Sequence, residues 1–209
     1  MKAEKIKENN MYSKNVIFMD GEFTELNEKG TKFISIALIK PRVELKERGV
    51  GNYAKTIEWD EYYTINSEYN SKKCSEWVRE NVLLPLYIQT VHGDQRNHYD
   101  EMNFHKIYGK SEKRIAEEIK QFVGNEKPYL VADVNQFDWM GICGLFGIYN
   151  IPFNYIPIDF ASILWSKGID PDIDRIELAK SMNIDVSNFK KHNALDDTRV
   201  LKSLYKKLS

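Results

Sequence analysis

The sequence predicts an α/β fold built around a mixed β-sheet, and three observations point there. Apolar and β-branched runs crowd the first third of the chain, the apolar period lengthens to helical spacing beyond about Lys72, and one more short apolar run, Pro128 to Ala132, falls between two helical stretches. Strands grouped early and then alternating with helices give a sheet covered by helices.

Residues 1 to 14 read as a polar lead-in, and one domain is expected over 15 to 209. Val16-Ile17-Phe18-Met19 is a continuous apolar run of the kind a fully buried strand shows. Phe33 to Ile39 and Lys55 to Ile65 carry the β-branched and aromatic residues of two further strands, so the opening third reads as a β-meander. Lys40 to Asn52, with Pro41, Gly49 and Gly51, reads as a long charged connection between them. Cys74, Trp77, Val78, Asn81 and Val82 then fall at helical spacing, with Pro85 expected to disturb the far end. Ser111 is a candidate N-cap for a helix to Val123 that puts Ile115, Ile119, Phe122 and Val123 on one face. Pro128 to Ala132 reads as a buried strand, Phe137 to Tyr149 as a helix, Asn154 to Phe160 as a strand, and Asp172 to Met182 and Ala194 to Leu208 as helices. Gln89 to Gly109, with His92, His98 and His105, is too long and aperiodic for an ordinary connector and is expected to be either a solvated surface loop or a substrate or subunit contact.

Composition narrows the function. The 209 residues hold 30 Lys+Arg against 31 Asp+Glu, with 42% hydrophobic and 29% charged residues, which excludes a mainly disordered chain and a broadly basic nucleic-acid coat. Any polyanion must be met at a local site. Cys74 and Cys143 form no CxxC pair, so a zinc ribbon and a disulfide scaffold are both excluded. No secretory apolar region follows the N-terminus and no run is long enough to span a membrane, so a cytoplasmic protein is expected.

The carboxylates carry the chemistry. In Met19-Asp20-Gly21-Glu22-Phe23-Thr24, the strand period of two points Asp20 and Glu22 to the same face at the end of an apolar strand. Two buried acids on one spot are costly unless a cation or hydrogen bonds compensate them, whereas a solvated turn would not need the apolar run before it. Asp138 lies in the first turn of a helix after a strand. It reads either as a dipole partner behind an Asn135 N-cap or, sharing a face with Ile142 and Leu145, as an acid aimed at the interior. Asp197 falls on the stripe of Val200, Leu201, Leu204 and Leu208, the face that must pack on the core, while Asp196 turns to the flank as a dipole partner. His192 precedes that helix, where a loop can hold an imidazole beside an open site.

Metal-assisted phosphodiester hydrolysis needs this set. Two divalent ions clamp the attacking and leaving oxygens, and several hard oxygen ligands from distant parts of the chain hold them. Asp20, Glu22, Asp138 and Asp197 supply four such ligands, and the absence of Cys or His at zinc spacing favours Mg2+ or Mn2+. A neutral His192 suits the role of general base near neutral pH.

These residues resemble the DEDDh branch of the 3′-to-5′ exonucleases, from about Val16 to Leu208. FMDGEFT resembles the first motif, D-x-E-x-T; VNQFDWM is similar to the second; HNALDD resembles the third, H-x-x-x-x-D. The resemblance implies an RNase H-like mixed sheet flanked by helices, Asp20, Glu22, Asp138 and Asp197 as ligands of two Mg2+ or Mn2+ ions, His192 as general base, and Phe23 and Thr24 lining the pocket for the terminal nucleotide. The second motif commonly reads H-N-x-x-F-D, and Val134 stands here in the place of its Asn. Within the branch, DGEFT, EWVRENVLLPL and FDWMGICGLFG look most like the small bacterial exoribonuclease domain of mycobacterial type. That implies release of nucleoside 5′-monophosphates from the 3′ ends of single-stranded RNA, and homodimers are frequent among relatives. Three alternatives stay open: a DNA-directed exonuclease with the same site, a non-catalytic nucleic-acid-binding module of the same fold, and an interaction protein whose acids are caps and turns. Arg175, Lys190 and Lys191 are candidate phosphate partners.

Overall fold

The computed structural model describes residues 15–24, 32–47 and 53–208; the lead-in read over 1–14 lies outside them. Strands β1 (Val16–Phe23), β2 (Phe33–Glu47) and β3 (Tyr53–Ile65) pair antiparallel in sequence order. On its other side β1 pairs parallel with β4 (Tyr129–Ala132), which pairs parallel with β5 (Ile158–Asp159), so the sheet order is β3-β2-β1-β4-β5. The meander and the mixed sheet are both present, and β1 is the central strand. The charged connection expected over Lys40 to Asn52 is mostly strand. Lys40 stands opposite Asp60 and Arg42 opposite Glu58, and Arg42 also pairs with Asp60 at 3.1 Å, so charges that suggest a loop are cross-strand partners. Pro41 is tolerated because the described β1 pairs reach only Ile39, which leaves β2 with one paired neighbour beyond it.

Helix α1 (Glu76–Val78) leads through a π-helical turn, Arg79–Leu83, into α2 (Leu84–Thr90). Pro85 therefore does not end the helix: the wide turn closes with the Leu84 N–H on the Arg79 carbonyl, and the proline falls in the first turn of α2, where no donor is needed. After α3 (His105–Tyr108), Ser111 caps α4 (Glu112–Val123) by accepting the Arg114 N–H. Helix α5 (Gln136–Phe146) stops short of the expected Tyr149 because Gly147 turns left-handed at φ 69°. The strand expected over Asn154 to Phe160 shrinks to β5, since the Asp159 carboxylate accepts the Ser162 N–H and starts α6 (Phe160–Ser166). Asp174 caps α7 (Arg175–Ser181) in the same way, and α8 (Ala194–Leu208) closes the chain where its period predicts.

The alternation of β1 divides the core. Ile17 and Met19 pack with α4 and α5, while Val16 and Phe18 pack with α6, α7 and α8. Phe33 sits between β1 and α5, and a Cβ on Gly21 or Gly141 would come within 2.5 and 2.3 Å of its ring. Only glycine allows that approach. A third cluster, with Tyr69, Val82, Leu83 and Phe104, underlies the Gln89–Gly109 stretch. That stretch is tied back to α2 by Arg96, which donates to the Ile88 and Val91 carbonyls, and its His105 is buried against Tyr69 at 4.1 Å.

Candidate active site

At the end of β1 the strand leaves the buried core, and Asp20 and Glu22 share the face toward α8. Asp197, one turn into α8, meets them there: Asp20, Glu22 and Asp197 each offer an oxygen within 4.8 Å of the others. His192 and Asp197 join Asp20 and Glu22 in lining one cleft of about 380 Å3. Asp138 is placed differently. It approaches from α5, behind the strand, with Oδ1 3.2 Å from where a Cβ on Gly21 would lie, and that oxygen is buried without a hydrogen-bond partner among the described residues. Four of the five expected residues therefore line the cleft, and the fifth presses on Gly21 between two of them.

Burial and mutual repulsion set the electrostatics. Asp20 is held well above the usual carboxylate range by burial and then by the charges of Asp197, Asp138 and Glu22. Burial, with Asp197, pushes Glu22 up to about 8. Asp138 is raised by burial and by Glu22 and Asp133. Asp197 is pushed up to about 7 by burial, against the pull of the His192 and Asn193 backbone N–H groups on its carboxylate. Acids this crowded favour the neutral form until a cation joins them. Hard oxygens on two chain segments, β1 and α8, with the Asp138 Oδ1 behind them on a third, fit a hard divalent ion.

His192 occupies a left-handed position, φ 60°, and its ring meets Trp77 edge-on at 5.0 Å. The next residue, Asn193, donates its side-chain amide to Gln89 at 2.8 Å, so both ends of the α1–α2 run hold this turn. Burial and the neighbouring Lys191 charge lower the imidazole's pKa, which keeps it neutral.

Other expectations find different partners. Phe23 packs on Phe33 at 4.8 Å and Thr24 is buried with its N–H on the Lys32 carbonyl; neither lines the cleft. Asn135 does not cap α5: its side chain donates to the Leu130 and Ile158 carbonyls, tying β4 to β5. Arg175 makes a two-point ion pair with Asp133 and also donates to the Pro171 and Ile173 carbonyls, so it braces the cleft wall. Lys191 pairs with Asp174 at 2.8 Å. Sequence reasoning missed Asp133 and Val134 as cleft residues. Val134 is left-handed at φ 48°, unusual for a branched side chain, and it stands where the second motif commonly has Asn, a residue that adopts this conformation readily.

No protein-family model and no curated protein matches the sequence. Solved structures do. E. coli exonuclease I with single-stranded DNA, in its zinc-bound form, superposes over 92% of this chain and 39% of its own at 14% identity and a TM-score of 0.58. The same enzyme with a dA16 oligonucleotide gives 93%, 40%, 15% and 0.52. A moderately thermophilic exonuclease I from Methylocaldum szegediense gives 93%, 40%, 12% and 0.53. The present chain thus spans about 40% of the length of these exonuclease I chains, and what it shares with them is the RNase H-like fold. No helix among the described residues is long and apolar enough to cross a membrane.

Proposed function

We propose that this protein is a metal-dependent 3′-to-5′ exonuclease that removes terminal nucleotides from single-stranded nucleic acid as nucleoside 5′-monophosphates. The observation that carries the reading is the convergence of Asp20, Glu22 and Asp197 oxygens within 4.8 Å beside His192 in one cleft. A pure binding module gains nothing from buried acids that repel one another. The exonuclease I structures of like fold hold single-stranded DNA, which supports a single-stranded substrate.

In this reading Asp20, Glu22, Asp138 and Asp197 hold two Mg2+ or Mn2+ ions, which when bound neutralise the scissile phosphate and lower the pKa of the attacking water. His192 takes the proton from that water; its neutral imidazole and its seating against Trp77 suit a general base. The polymer proposed is RNA, from the likeness of three segments to small bacterial exoribonucleases, and a homodimer in the cytoplasm belongs to the same proposal. Matched RNA and DNA oligonucleotides digested with Mn2+ test it: faster shortening of RNA from the 3′ end supports the assignment, and a preference for DNA reassigns the polymer.

A further inference from the structure

Ladder pairing carries the acidic face of β1 sideways across the sheet. Asp20 stands opposite Ala37, which stands opposite Tyr63; Glu22 stands opposite Ser35, which stands opposite Ile65. Lateral neighbours in a sheet project to the same side, so Ser35 and Tyr63 share the α8-facing side with Asp20 and Glu22. Ala37, between Asp20 and Tyr63, is the small residue of that row. Ser35 is 1% exposed, and the Tyr63 hydroxyl is buried with no hydrogen-bond partner among the described residues. Ser35 is the diagonal neighbour of Tyr63 on that face and stands directly opposite Glu22. A buried hydroxyl left unpaired is destabilising, a cost that apolar Phe would avoid. Tyr62 makes the contrast: it faces the opposite side and bonds Glu118 at 3.1 Å.

We infer that Tyr63 is a positioning residue for Glu22, its hydroxyl donating to Ser35 and the Ser35 hydroxyl in turn to the Glu22 carboxylate when that carboxylate binds a divalent ion. The inference rests on the proposed metal site and adds to it the groups that orient one ligand. Hydrogen-bond partners behind metal ligands commonly set about 10- to 100-fold in metal affinity.

Calorimetric titration of the metal-free, substrate-free protein with Mn2+ tests this together with thermal melts in chelator. Tyr63→Phe is expected to weaken Mn2+ binding about 10- to 100-fold while leaving the chelated melting temperature unchanged or higher. Ser35→Ala should match it, and the double variant should bind no more weakly than either. Tyr62→Phe should lower the melting temperature and leave Mn2+ affinity alone. Mn2+ affinity of Tyr63→Phe within about twofold of wild type overturns the inference, as does a loss accompanied by a fall in the chelated melting temperature, which marks a merely structural residue. A wild-type protein that takes up no Mn2+ overturns the nuclease reading itself and this inference with it.

Discussion

Asp20 and Asp197 come from near opposite ends of the chain, yet their carboxylate oxygens lie within 4.8 Å of each other beside Glu22. The two elements that carry them, β1 and α8, pack directly through Phe18 and Tyr205, whose rings meet at 5.1 Å. The apolar core thus holds like charges together against repulsion.

Removing one acid should separate stability from activity. Asp20→Asn is expected to raise the melting temperature of the metal-free protein by relieving repulsion with Asp197, Asp138 and Glu22. A gain of about 1 kcal/mol would appear as about 2–4 °C in a chain of this size. The same variant should lose at least about 100-fold in turnover. Calorimetry and a nuclease assay on one preparation check both; a destabilised but active variant contradicts the account.

The raised carboxyls give a signed pH dependence. Glu22 moves from an ordinary value of 4.5 to about 8 and Asp197 from 3.8 to about 7 on folding. Between the ordinary and the raised values the folded state binds more protons than the unfolded one, so their contribution is present at low pH and is lost as pH rises toward 8. Melts in chelator should fall across that window, and saturating Mn2+ should flatten the fall, with a larger stabilisation at pH about 8 than at pH about 6. A chelated melt that rises with pH over the window contradicts these assignments.

His192→Ala should slow turnover by about 100- to 10,000-fold while Mn2+ affinity stays within a few-fold of wild type. Single-turnover rates with bound Mn2+ give the first quantity and calorimetry the second. A variant with the wild-type rate reassigns the base.

Two glycines of α5 should respond oppositely to alanine. Ala in place of Gly gains about 1 kcal/mol in a helix interior. At Gly144 nothing stands within 4 Å of the new methyl, so Gly144→Ala should stabilise by up to that amount. At Gly141 the methyl would meet the Phe33 ring at 2.3 Å, and the overpacking cost of about 1–3 kcal/mol outweighs the gain. Chemical denaturation of both variants checks the pair.

Local signals in the sequence reach most of the fold, and they fail where a distant partner decides the outcome. The apolar run of β1, the Ser111 cap and the stripe of α8 are written in neighbouring residues, and the elements lie where those residues indicate. The far half of β2 is hidden because Lys40 and Arg42 look solvated until β3 supplies Asp60 and Glu58 opposite them. Helix α6 is hidden because Asp159 reads as a strand residue until its carboxylate caps Ser162. In the site, strand parity shows Asp20 and Glu22 together and helix period shows Asp197 inward. The place of Asp138 behind Gly21 depends on how α5 packs over Phe33, and the tie between Arg175 and Asp133 on a contact between the first residue of α7 and the turn after β4.

The most direct test is digestion of 5′-labelled RNA and DNA oligonucleotides with free or blocked 3′ ends, in Mn2+ and in chelator, read by product length. The account predicts stepwise shortening that needs both a free 3′ end and Mn2+ and that Asp20→Asn abolishes. Shortening that persists in chelator or past a blocked 3′ end, or intact oligonucleotides under every condition, would contradict it.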